Sequence, residues 1–578
     1  MDGLNGKVLV LGKGVRAFLA VIRSLGRRGL RVHTAWCPPG DPALASRYIS
    51  CRHDLPRCSQ GADAWLEPLA ALLDQQRFDL VIPCNDEVVI PLQKHRATLE
   101  RHARLALARD EAYKTVMDKS HTTSLARSLG VPVPREILLY DLSIGIGQLA
   151  ASWGWPLVLK PRSSFSMINP VNKRLVQVVS SADQAVRLGS KMMGAEGIII
   201  QEHISGVGVG VEVLADRGEI LYAFQHERVH EPLSGGGSSY RVSVPLNPEL
   251  LEATSALIRA LQYTGVAMAE YRVQADRRKW VLLEINGRFW GSLPLAVAAG
   301  ADFPWFLYQL LTAQKRSFAP GYRVGIYCRN LMNDLLWLRS NRYQEGKLAM
   351  VQPKPWGDVL REAGHVLALR ERYDSLVLDD IRPAWVELMH RGARLRVHFC
   401  IRFFWRWPLR SLRAKLFRRR AARARHIHVV CKGNICRSPF LRAALAARAP
   451  MGVVVSASGY YPELGRCSPA EAIRAASMLG VDLSAHRSRL LSPTEIESAD
   501  VIFVFDKDNL LTLRSSCPAV RRRVILVGQL FTQGPLEVAD PFGGTEADFL
   551  RTYKHLALAP DLIFPAAEVS QVKLERPG

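Results

Sequence analysis

The chain has 578 residues, 48% of them hydrophobic, ten cysteines and a formal net charge of +24. A chain of this length exceeds one hydrophobic core, so three or more domains are expected. No run approaches the roughly 20 uninterrupted apolar residues of a transmembrane helix, residues 1–7 do not resemble a signal peptide, and the cysteines lack C-x-x-C or zinc-type spacing. The composition therefore argues against an integral membrane protein and a disulfide framework, and it predicts a cytoplasmic protein.

The first predicted domain alternates strands with helices. Residues 7–14 have the pattern of a buried strand running into a glycine turn, a helical pattern follows, and further strands are predicted at 29–33 and 80–84. This order predicts a doubly wound α/β unit. The turn lacks the third glycine of a G-x-G-x-x-G dinucleotide site because Ala17 stands there, so we expect a scaffold in preference to a cofactor site.

A second α/β region begins near Glu111, and several of its predicted elements begin or end in polar side chains. Glu284 and Asn286 lie two residues apart on a predicted strand, so both side chains face one side, where Glu270 from a neighbouring strand could join them. Two carboxylates and an amide oxygen suit Mg²⁺ bound with ATP phosphates. Each residue taken alone also fits an ordinary surface position, and only the combination favours a nucleotide site.

In this order the motifs of residues 1 to about 320 resemble the ATP-grasp superfamily, nearest to its carbamoyl-phosphate-synthetase-like carboxylate-amine ligases. The resemblance implies a pre-ATP-grasp α/β domain at 1–112 and an ATP-grasp α+β domain at 113–320. Such enzymes phosphorylate a carboxylate with ATP and let an amine or thiol attack the acyl phosphate. The ATP-binding residues implied are Lys119, Lys160, Glu202 at the adenine hinge and Arg288, and those implied for Mg²⁺ are Glu270, Glu284 and Asn286.

This chain departs from the ATP-grasp pattern at two places. Residues 162–168 replace the usual glycine-rich flap over the phosphates, and Gly208 stands where many relatives have a ribose-binding glutamate. The departures leave open an alternative, in which this half binds ATP or a metabolite without turnover and regulates the other half.

Residues 321–425 are predicted to form a helical linker that ends in a basic, aromatic segment. Residues 391–425 contain thirteen lysines and arginines and no acidic residue, interleaved with Phe399, Phe403, Phe404, Trp405, Trp407 and Phe417. An anionic membrane surface is the favoured partner for this segment, and this partner implies a peripheral membrane location as the alternative to a purely cytoplasmic one. A nucleic acid is less favoured because no recognised RNA or DNA module is present. An arginine-rich helix packed on the other domains is the structural alternative.

The most informative stretch of the chain is Val430-Cys431-Lys432-Gly433-Asn434-Ile435-Cys436-Arg437-Ser438-Pro439, between a predicted strand and a predicted helix. Cys431 and Arg437 enclose five residues, a loop short enough for its N–H groups to converge on one tetrahedral oxyanion and to favour a thiolate. The planar fork of Arg437 could bind two phosphate oxygens. Gly433 permits the tight turn, Asn434 could hold the shape of the loop, and Ser438 could donate a hydrogen bond to the sulfur.

This string resembles the signature of low-molecular-weight protein tyrosine phosphatases, and further motifs follow in that family's order. Residues 453–459 resemble the second strand and turn, 486–489 the basic loop, and 499–506 a later strand. Asp540-Pro541 matches the general acid and its proline. The resemblance implies a doubly wound α/β domain with a central parallel sheet at 426–578, without a cofactor, in which Cys431 forms a cysteinyl phosphate and Asp540 acts as acid and then base.

Two aromatic positions depart from the phosphatase pattern, whereas Cys436 matches a second cysteine that some relatives have in the loop. Phe542 stands where many relatives have Tyr, and Phe505 where Met is usual, so a small phosphoester or arsenate is a rival to a phosphotyrosine protein as substrate. Cys436 could pair reversibly with Cys431 under oxidation, or could simply be a small buried residue. The sequence thus predicts a bifunctional α/β protein with phosphatase and ATP-dependent ligase halves.

Overall fold

The computed structural model describes residues 6–56, 63–140, 145–163, 176–193, 196–232, 237–342, 353–403, 409–461 and 464–565. The chain divides into two compact units, Met1–Glu387 and Leu388–Gly578, which are described separately. Both units mix helices with sheets, so the predicted α/β class is confirmed. Within the described residues, no helix combines the length and apolar character needed to span a bilayer.

The N-terminal part of the first unit is built on a parallel sheet with strand order β3-β2-β1-β4. Alternate residues of the central strand enter different cores: Val8 and Val10 pack on one face, and Leu9 and Leu11 on the other. Helices therefore cover both faces, as a doubly wound unit requires. The elements are β1 (Lys7–Leu11), α1 (Leu19–Arg27), β2 (Arg31–Ala35), β3 (Ile49–His53), α2 (Leu66–Gln76), β4 (Leu80–Pro83), α3 (Asp86–Lys94) and α4 (Arg96–Leu99).

The rest of the first unit contains two further sheets. An antiparallel sheet has the order β5-β8-β6-β7, and a larger sheet has the order β13-β12-β9-β10-β11-β14-β15. The strands are β5 (Glu136–Leu139), β6 (Leu157–Pro161), β7 (Gln177–Val179), β8 (Ile198–Glu202), β9 (Val207–Asp216), β10 (Glu219–His230), β11 (Tyr240–Ser243), β12 (Gly265–Val273), β13 (Trp280–Asn286), β14 (Tyr327–Arg329) and β15 (Glu371–Tyr373). The helices are α5 (Asp110–Met117), α6 (Lys119–Ser128), α7 (Ile146–Trp153), α8 (Ala182–Met192), α9 (Pro248–Ala260), α10 (Leu293–Ala299), α11 (Phe303–Ala313), α12 (Leu331–Arg342), α13 (Trp356–Arg361) and α14 (Ala363–Leu367).

The segment after residue 320 differs from the helical linker that the sequence suggests. β14 pairs with β11 and β15 pairs with β14, so both strands extend the larger sheet. Arg241 of β11 forms a fully buried ion pair with Asp374, just beyond β15. The described residues of the range 321–387 are therefore integrated into the first unit by a sheet edge and buried charge pairs.

The second unit contains a four-stranded parallel sheet of order β17-β16-β18-β19. Helix α15 (Arg382–Phe403) crosses the boundary between the units. The remaining elements are α16 (Leu409–Ala422), β16 (His426–Cys431), α17 (Arg437–Ala446), β17 (Val454–Gly459), α18 (Ala470–Ser477), α19 (Pro493–Ser498), β18 (Val501–Val504), α20 (Lys507–Ser516), β19 (Val524–Leu526), α21 (Glu546–Leu556) and α22 (Ala559–Ile563).

The second half of the basic segment packs on this sheet domain. Ala421 of α16 and Ala424 just after it belong to the core of the unit, and Phe417 packs against that core. The guanidinium of Arg410 donates to the carbonyls of Phe531 and Gly534, and that of Arg418 donates to the carbonyl of Leu530. Phe404, Trp405 and Trp407, three of the aromatic residues assigned to a membrane contact, lie outside the described residues.

Candidate functional site

The loop after β16 lies where the carboxyl ends of parallel strands meet. Cys431 is the last residue of β16, and Arg437 is the first of α17, so the loop leads directly into a helix N-terminus. In a parallel sheet this edge collects the loops that bind ligands. An added Cβ on Gly459, at the end of β17, would lie 2.8 Å from the carbonyl oxygen of Lys432, so glycine lets the neighbouring strand approach the loop.

The sulfur of Cys431 is buried and has two hydrogen-bond partners. The backbone N–H of Asn434 donates to Sγ over 3.2 Å, and Ser438 Oγ lies 3.0 Å from Sγ. The Asn434 side-chain amide also donates to Ser438 Oγ over 2.9 Å. Because Ser438 Oγ accepts that bond, its own proton is available to donate to the sulfur.

Asn434 holds the loop in shape. Its φ of 52° lies in the left-handed region, which asparagine tolerates better than most residues. Its side-chain oxygen accepts from the Arg489 backbone N–H over 2.9 Å, and its carbonyl oxygen lies 2.7 Å from His486 Nε2. The loop is thus connected to residues 486–489, the segment compared above with the basic loop of phosphatases.

Arg437 is buried between two carboxylates. Its Nη1 donates to Asp506 over 2.7 Å and to the Val538 carbonyl over 2.9 Å, and its Nη2 donates to Asp540 over 2.6 Å. Burial alone would lower the pKa of Arg437, but Asp540, Cys431 and Asp506 outweigh burial and raise it. Asp540 is exposed, with 42% of its side chain accessible, so it can reach both the arginine and solvent.

Sequence reasoning missed the roles of Asp506 and Arg466. Asp506 follows β18 at the same sheet edge as Cys431, so the rule that parallel strand ends converge could have identified it. Arg466 donates to the Gly433 carbonyl over 2.7 Å, and its guanidinium lies 4.3 Å from the ring centre of Tyr461. The intervening loop gives no comparable sequence signal for Arg466. Cys436 is buried, which raises the pKa of its thiol.

In the first unit, the residues predicted to bind ATP phosphates and Mg²⁺ partly converge. Lys119 Nζ lies 3.7 Å from Glu284, and the Asn286 side-chain amide donates to Glu284 over 3.3 Å. Glu270 stands directly opposite Glu284 in the β12–β13 register. Lys160 is buried at the end of β6, and burial lowers its pKa to about 8. Burial would raise the pKa of Glu284, but Lys119 and Lys160 outweigh burial and lower it.

The other two predicted ATP-binding residues are held by different partners. Arg288 donates to Asp86, of the N-terminal sheet domain, over 2.7 Å. Glu202 accepts from the backbone and side chain of Arg135, each over 2.7 Å. In the β6–β8 register Glu202 stands opposite Leu157, three positions from Lys160, which places it about 10 Å from the lysine along the sheet. A residue that contacts the adenine end of ATP would lie at such a distance from a lysine that binds the phosphates.

Arg228 on β10 is a further member of this site that the sequence did not reveal. Its guanidinium lies 2.7 Å from Glu270 and 3.9 Å from Glu231. Burial alone would lower the pKa of Arg228, but Glu270 and Glu231 outweigh burial and raise it. Residues 162–168 stand where relatives have a glycine-rich flap, and 164–168 of them lie outside the described residues.

The second unit has the fold and site of a cysteine-dependent phosphatase: a parallel sheet, a C-x5-R loop at its carboxyl edge and an aspartate against the arginine. The family described as low molecular weight phosphotyrosine protein phosphatase matches residues 426–568. The phosphatase Etp of Escherichia coli K12 is 32% identical over 133 residues, which are 23% of this chain and 88% of that protein. Through this region the chain belongs to the low-molecular-weight protein tyrosine phosphatase family.

Part of the first unit is similar to ATP-grasp proteins, the resemblance that the sequence predicts. Residues 195–331 match the family described as ATP-grasp in the biosynthetic pathway with Ter operon. A D-alanine–D-alanine ligase of Ectopseudomonas mendocina is 30% identical over 211 residues, which are 34% of this chain and 64% of that enzyme. A biotin carboxylase of Campylobacter jejuni, solved as a β-γ-ATP complex, has 15% identity and a TM-score of 0.45 over 56% of this chain and 74% of that one. The predicted resemblance to both families is confirmed, and the chain spans about two thirds of the length of this D-alanine–D-alanine ligase.

Proposed function

We propose that the second unit hydrolyses aryl phosphate esters, with phosphotyrosine proteins as the substrate class. The observation that carries this proposal is the buried Cys431 sulfur with two donors, beside an arginine that contacts Asp540. The loop N–H groups and the Arg437 fork would bind the three non-bridging phosphate oxygens.

In the proposed reaction Cys431 forms a bond to phosphorus as the ester P–O bond breaks. Asp540 gives its proton to the leaving oxygen. Water then attacks the cysteinyl phosphate, its proton goes to the Asp540 carboxylate, and the S–P bond breaks with the electron pair returning to sulfur. Ser438 stabilises that sulfur in both half-reactions because its hydroxyl can donate to the thiolate. Arg437 donates a hydrogen bond to Asp540. A bound phosphate would compete with this carboxylate for the guanidinium and would release Asp540 toward the leaving group.

Two aromatic side chains near the loop support an aryl substrate. Phe542 follows the acid Asp540 by two residues and is 62% exposed, and Tyr461 donates its backbone N–H to the Lys432 carbonyl, within the loop. Tyr461 is partly exposed, and accessible rings of this kind can pack against a phenyl ring, whereas an alkyl phosphate would gain less from them.

The test compares hydrolysis of an aryl phosphate, a phosphotyrosyl peptide and a phosphoseryl peptide. The intact chain should hydrolyse the first two, Cys431→Ser should be inactive, and Asp540→Ala should be about 100-fold or more slower in line with loss of a general acid. Faster reduction of arsenate or faster hydrolysis of small alkyl phosphates would favour the rival substrate classes. No hydrolysis by the reduced wild-type chain would refute the phosphatase proposal.

We also propose that the first unit uses ATP and Mg²⁺ to join a small-molecule carboxylate to an amine. Lys119 and Lys160 would bind ATP phosphates, and Glu202 would lie at the adenine end. The donor set of Glu270, Glu284 and Asn286 fits Mg²⁺, which prefers carboxylate and amide oxygens. A bound Mg²⁺ would neutralise phosphate charge in the site. Arg288 would hold the transferring phosphate or the acyl phosphate through its fork.

ATP turnover separates a ligase from a regulatory ATP-binding domain. With mixtures of amino acids or other carboxylates and amines, a ligase releases ADP and phosphate, and hydroxylamine traps the acyl phosphate as a hydroxamate. Glu284→Gln and Lys160→Met should abolish both products. ATP binding without product, together with a change of aryl phosphatase rate when ATP is added, would favour the regulatory alternative.

An anionic membrane surface is proposed as the partner of residues 391–425. Leu412 and Leu416 lie one turn apart on α16 and are 59% and 55% exposed, although other side chains of the same helix pack inward. Exposed leucines among thirteen basic residues suit a headgroup boundary. Cosedimentation with vesicles containing phosphatidylserine should fall when both leucines are changed to serine, and should fall steeply with salt. No binding at low salt would refute this proposal.

A further inference from the structure

Three side chains with metal-binding atoms lie together on one face of the N-terminal sheet, away from both sites. His33 on β2 stands opposite Cys51 on β3, and His53 follows Cys51 by two residues, so all three point to one side. His33 Nδ1 lies 2.8 Å from His53 Nε2, and the candidate ligand atoms of the three residues all lie within 4.8 Å of one another. These residues are called the His33–Cys51–His53 cluster.

We propose that this cluster binds a borderline-soft divalent cation of the zinc class. Two imidazole nitrogens and a thiolate are the donors that Zn²⁺ prefers, and an oxygen-seeking ion such as Mg²⁺ would not select them. Binding releases the Cys51 thiol proton, and each imidazole keeps its remaining proton on the ring nitrogen that faces away from the metal. Cys51 and His53 are half-buried, so solvent can supply water as a fourth ligand.

The separation of the nitrogen atoms is close to that of a filled site. Two nitrogens in a tetrahedral zinc site lie about 3.3 Å apart, because each Zn–N bond is about 2.0–2.1 Å long. The observed 2.8 Å therefore has to open by about 0.5 Å, which small rotations about the broad χ2 torsions of the two histidines can provide.

The surroundings restrict the two imidazoles, and a lysine that also contacts the Phe78 ring has its own hydrogen-bond acceptor. The Phe78 ring packs edge-on against His33 and His53, with ring centres 5.2 and 6.4 Å apart respectively, which orients both imidazoles. Lys7 Nζ donates to the Gln76 carbonyl over 2.8 Å. β3 is the edge strand of its sheet, so a metal bound by residues of β2 and β3 would fasten that edge. The competing explanation of the short contact is one hydrogen bond between two neutral imidazoles.

Zinc stoichiometry distinguishes the two explanations. The full-length chain is studied in a Cys431→Ser background, so that the phosphatase thiol does not contribute, with excess Mg²⁺ present to occupy oxygen sites. After zinc loading and dialysis, elemental analysis should find about one more zinc per chain than in the same chain with Cys51→Ser or His53→Gln. Cys37→Ser and His102→Gln, changes in the same domain outside the cluster, should retain the zinc. Equal zinc in all five proteins would overturn the proposal.

Cobalt spectroscopy tests the same site without relying on the folding of a variant. Co²⁺ added to the zinc-free chain should give a thiolate-to-cobalt charge-transfer band and the intense visible bands of a tetrahedral complex. One equivalent of Zn²⁺ should remove these bands. Only the weak absorption of octahedral, oxygen-bound cobalt would overturn the proposal, whatever the variants show.

Discussion

Replacing Asn434 by aspartate tests whether the Asn434–Ser438 pair keeps the nucleophile ionised. The change preserves size and the acceptor for the Arg489 N–H, but it replaces the amide that donates to Ser438 Oγ with a carboxylate oxygen. The Ser438 proton would then be drawn to this carboxylate and away from the sulfur. The thiolate would lose one donor and gain a negative neighbour, and both changes disfavour it.

The expected size of the effect follows from two distances. Ser438 Oγ lies 2.9 Å from the Asn434 amide nitrogen and 3.0 Å from Sγ. The new charge would therefore be no more than about 6 Å from the sulfur, which at an effective dielectric constant of ~20 corresponds to about 3 kcal/mol. That energy equals an upward shift of about 2 pH units in the midpoint of thiolate formation.

The pH dependence of alkylation measures this shift directly. The rate at which iodoacetamide labels the peptide containing Cys431 is followed by mass spectrometry across pH, in wild type, Asn434→Asp and Ser438→Ala. Ser438→Ala removes a donor without adding charge and should shift the midpoint by about 1 unit, the value of one hydrogen bond to a charged group. A midpoint for Asn434→Asp within about half a unit of wild type would refute the reasoning.

Three further predictions use other contacts. Arg437→Lys should reduce the rate of aryl phosphate hydrolysis by about 100-fold or more because an ammonium cannot contact two phosphate oxygens in one plane, and a smaller loss would mean that charge alone suffices. Since burial lowers the pKa of Lys160 to about 8 and a bound phosphate favours the charged amine, ATP binding should take up about half a proton at pH 8 and almost none at pH 6.5. Calorimetry in two buffers of different ionisation enthalpy measures this uptake, and equal values at both pH values would contradict the assignment. Arg418→Met leaves the buried Leu530 carbonyl without its donor and should destabilise the second unit by about 1–3 kcal/mol, whereas Arg419→Met, at an exposed position of the same helix, should leave its thermal midpoint nearly unchanged.

The sequence was most informative where a motif and its structural context coincide over a few residues. Cys431 and Arg437 are connected by a single loop, so their chemistry could be predicted from local spacing. Asp540 could be nominated only through its place in a series of motifs, because it is about a hundred residues away in the chain. Asp506 ends one of these motifs but was assigned no role, because its contact with Arg437 arises only where two parallel strands end at the same edge.

The architecture after residue 320 shows why other features were not predicted. β14 and β15 contain three residues each, which is too short for a period-two pattern. In α16 and the turn after it the fully buried positions are alanines, at Ala414, Ala421 and Ala424, and they give a weak hydrophobic signal among many arginines. A basic stretch can therefore contain a packed helix, whose arginines donate hydrogen bonds to backbone carbonyls of its own domain.

In both candidate sites, the cations that are proposed to bind phosphate contact carboxylates of the protein. Arg437 contacts Asp540, Arg288 contacts Asp86, and Lys119 lies near Glu284. A buried cation without a partner would cost several kcal/mol, so each carboxylate stabilises its cation until a phosphate arrives. In the phosphatase half this exchange has a mechanistic consequence. A phosphate that binds Arg437 would also displace Asp540, so under the proposed mechanism the acid would become available only when a substrate is bound. If this coupling operates, a phosphate analogue such as vanadate should bind more tightly to Asp540→Ala than to wild type, because it no longer competes with the carboxylate. Weaker vanadate binding to that variant would show that Asp540 assists the bound anion and does not compete with it.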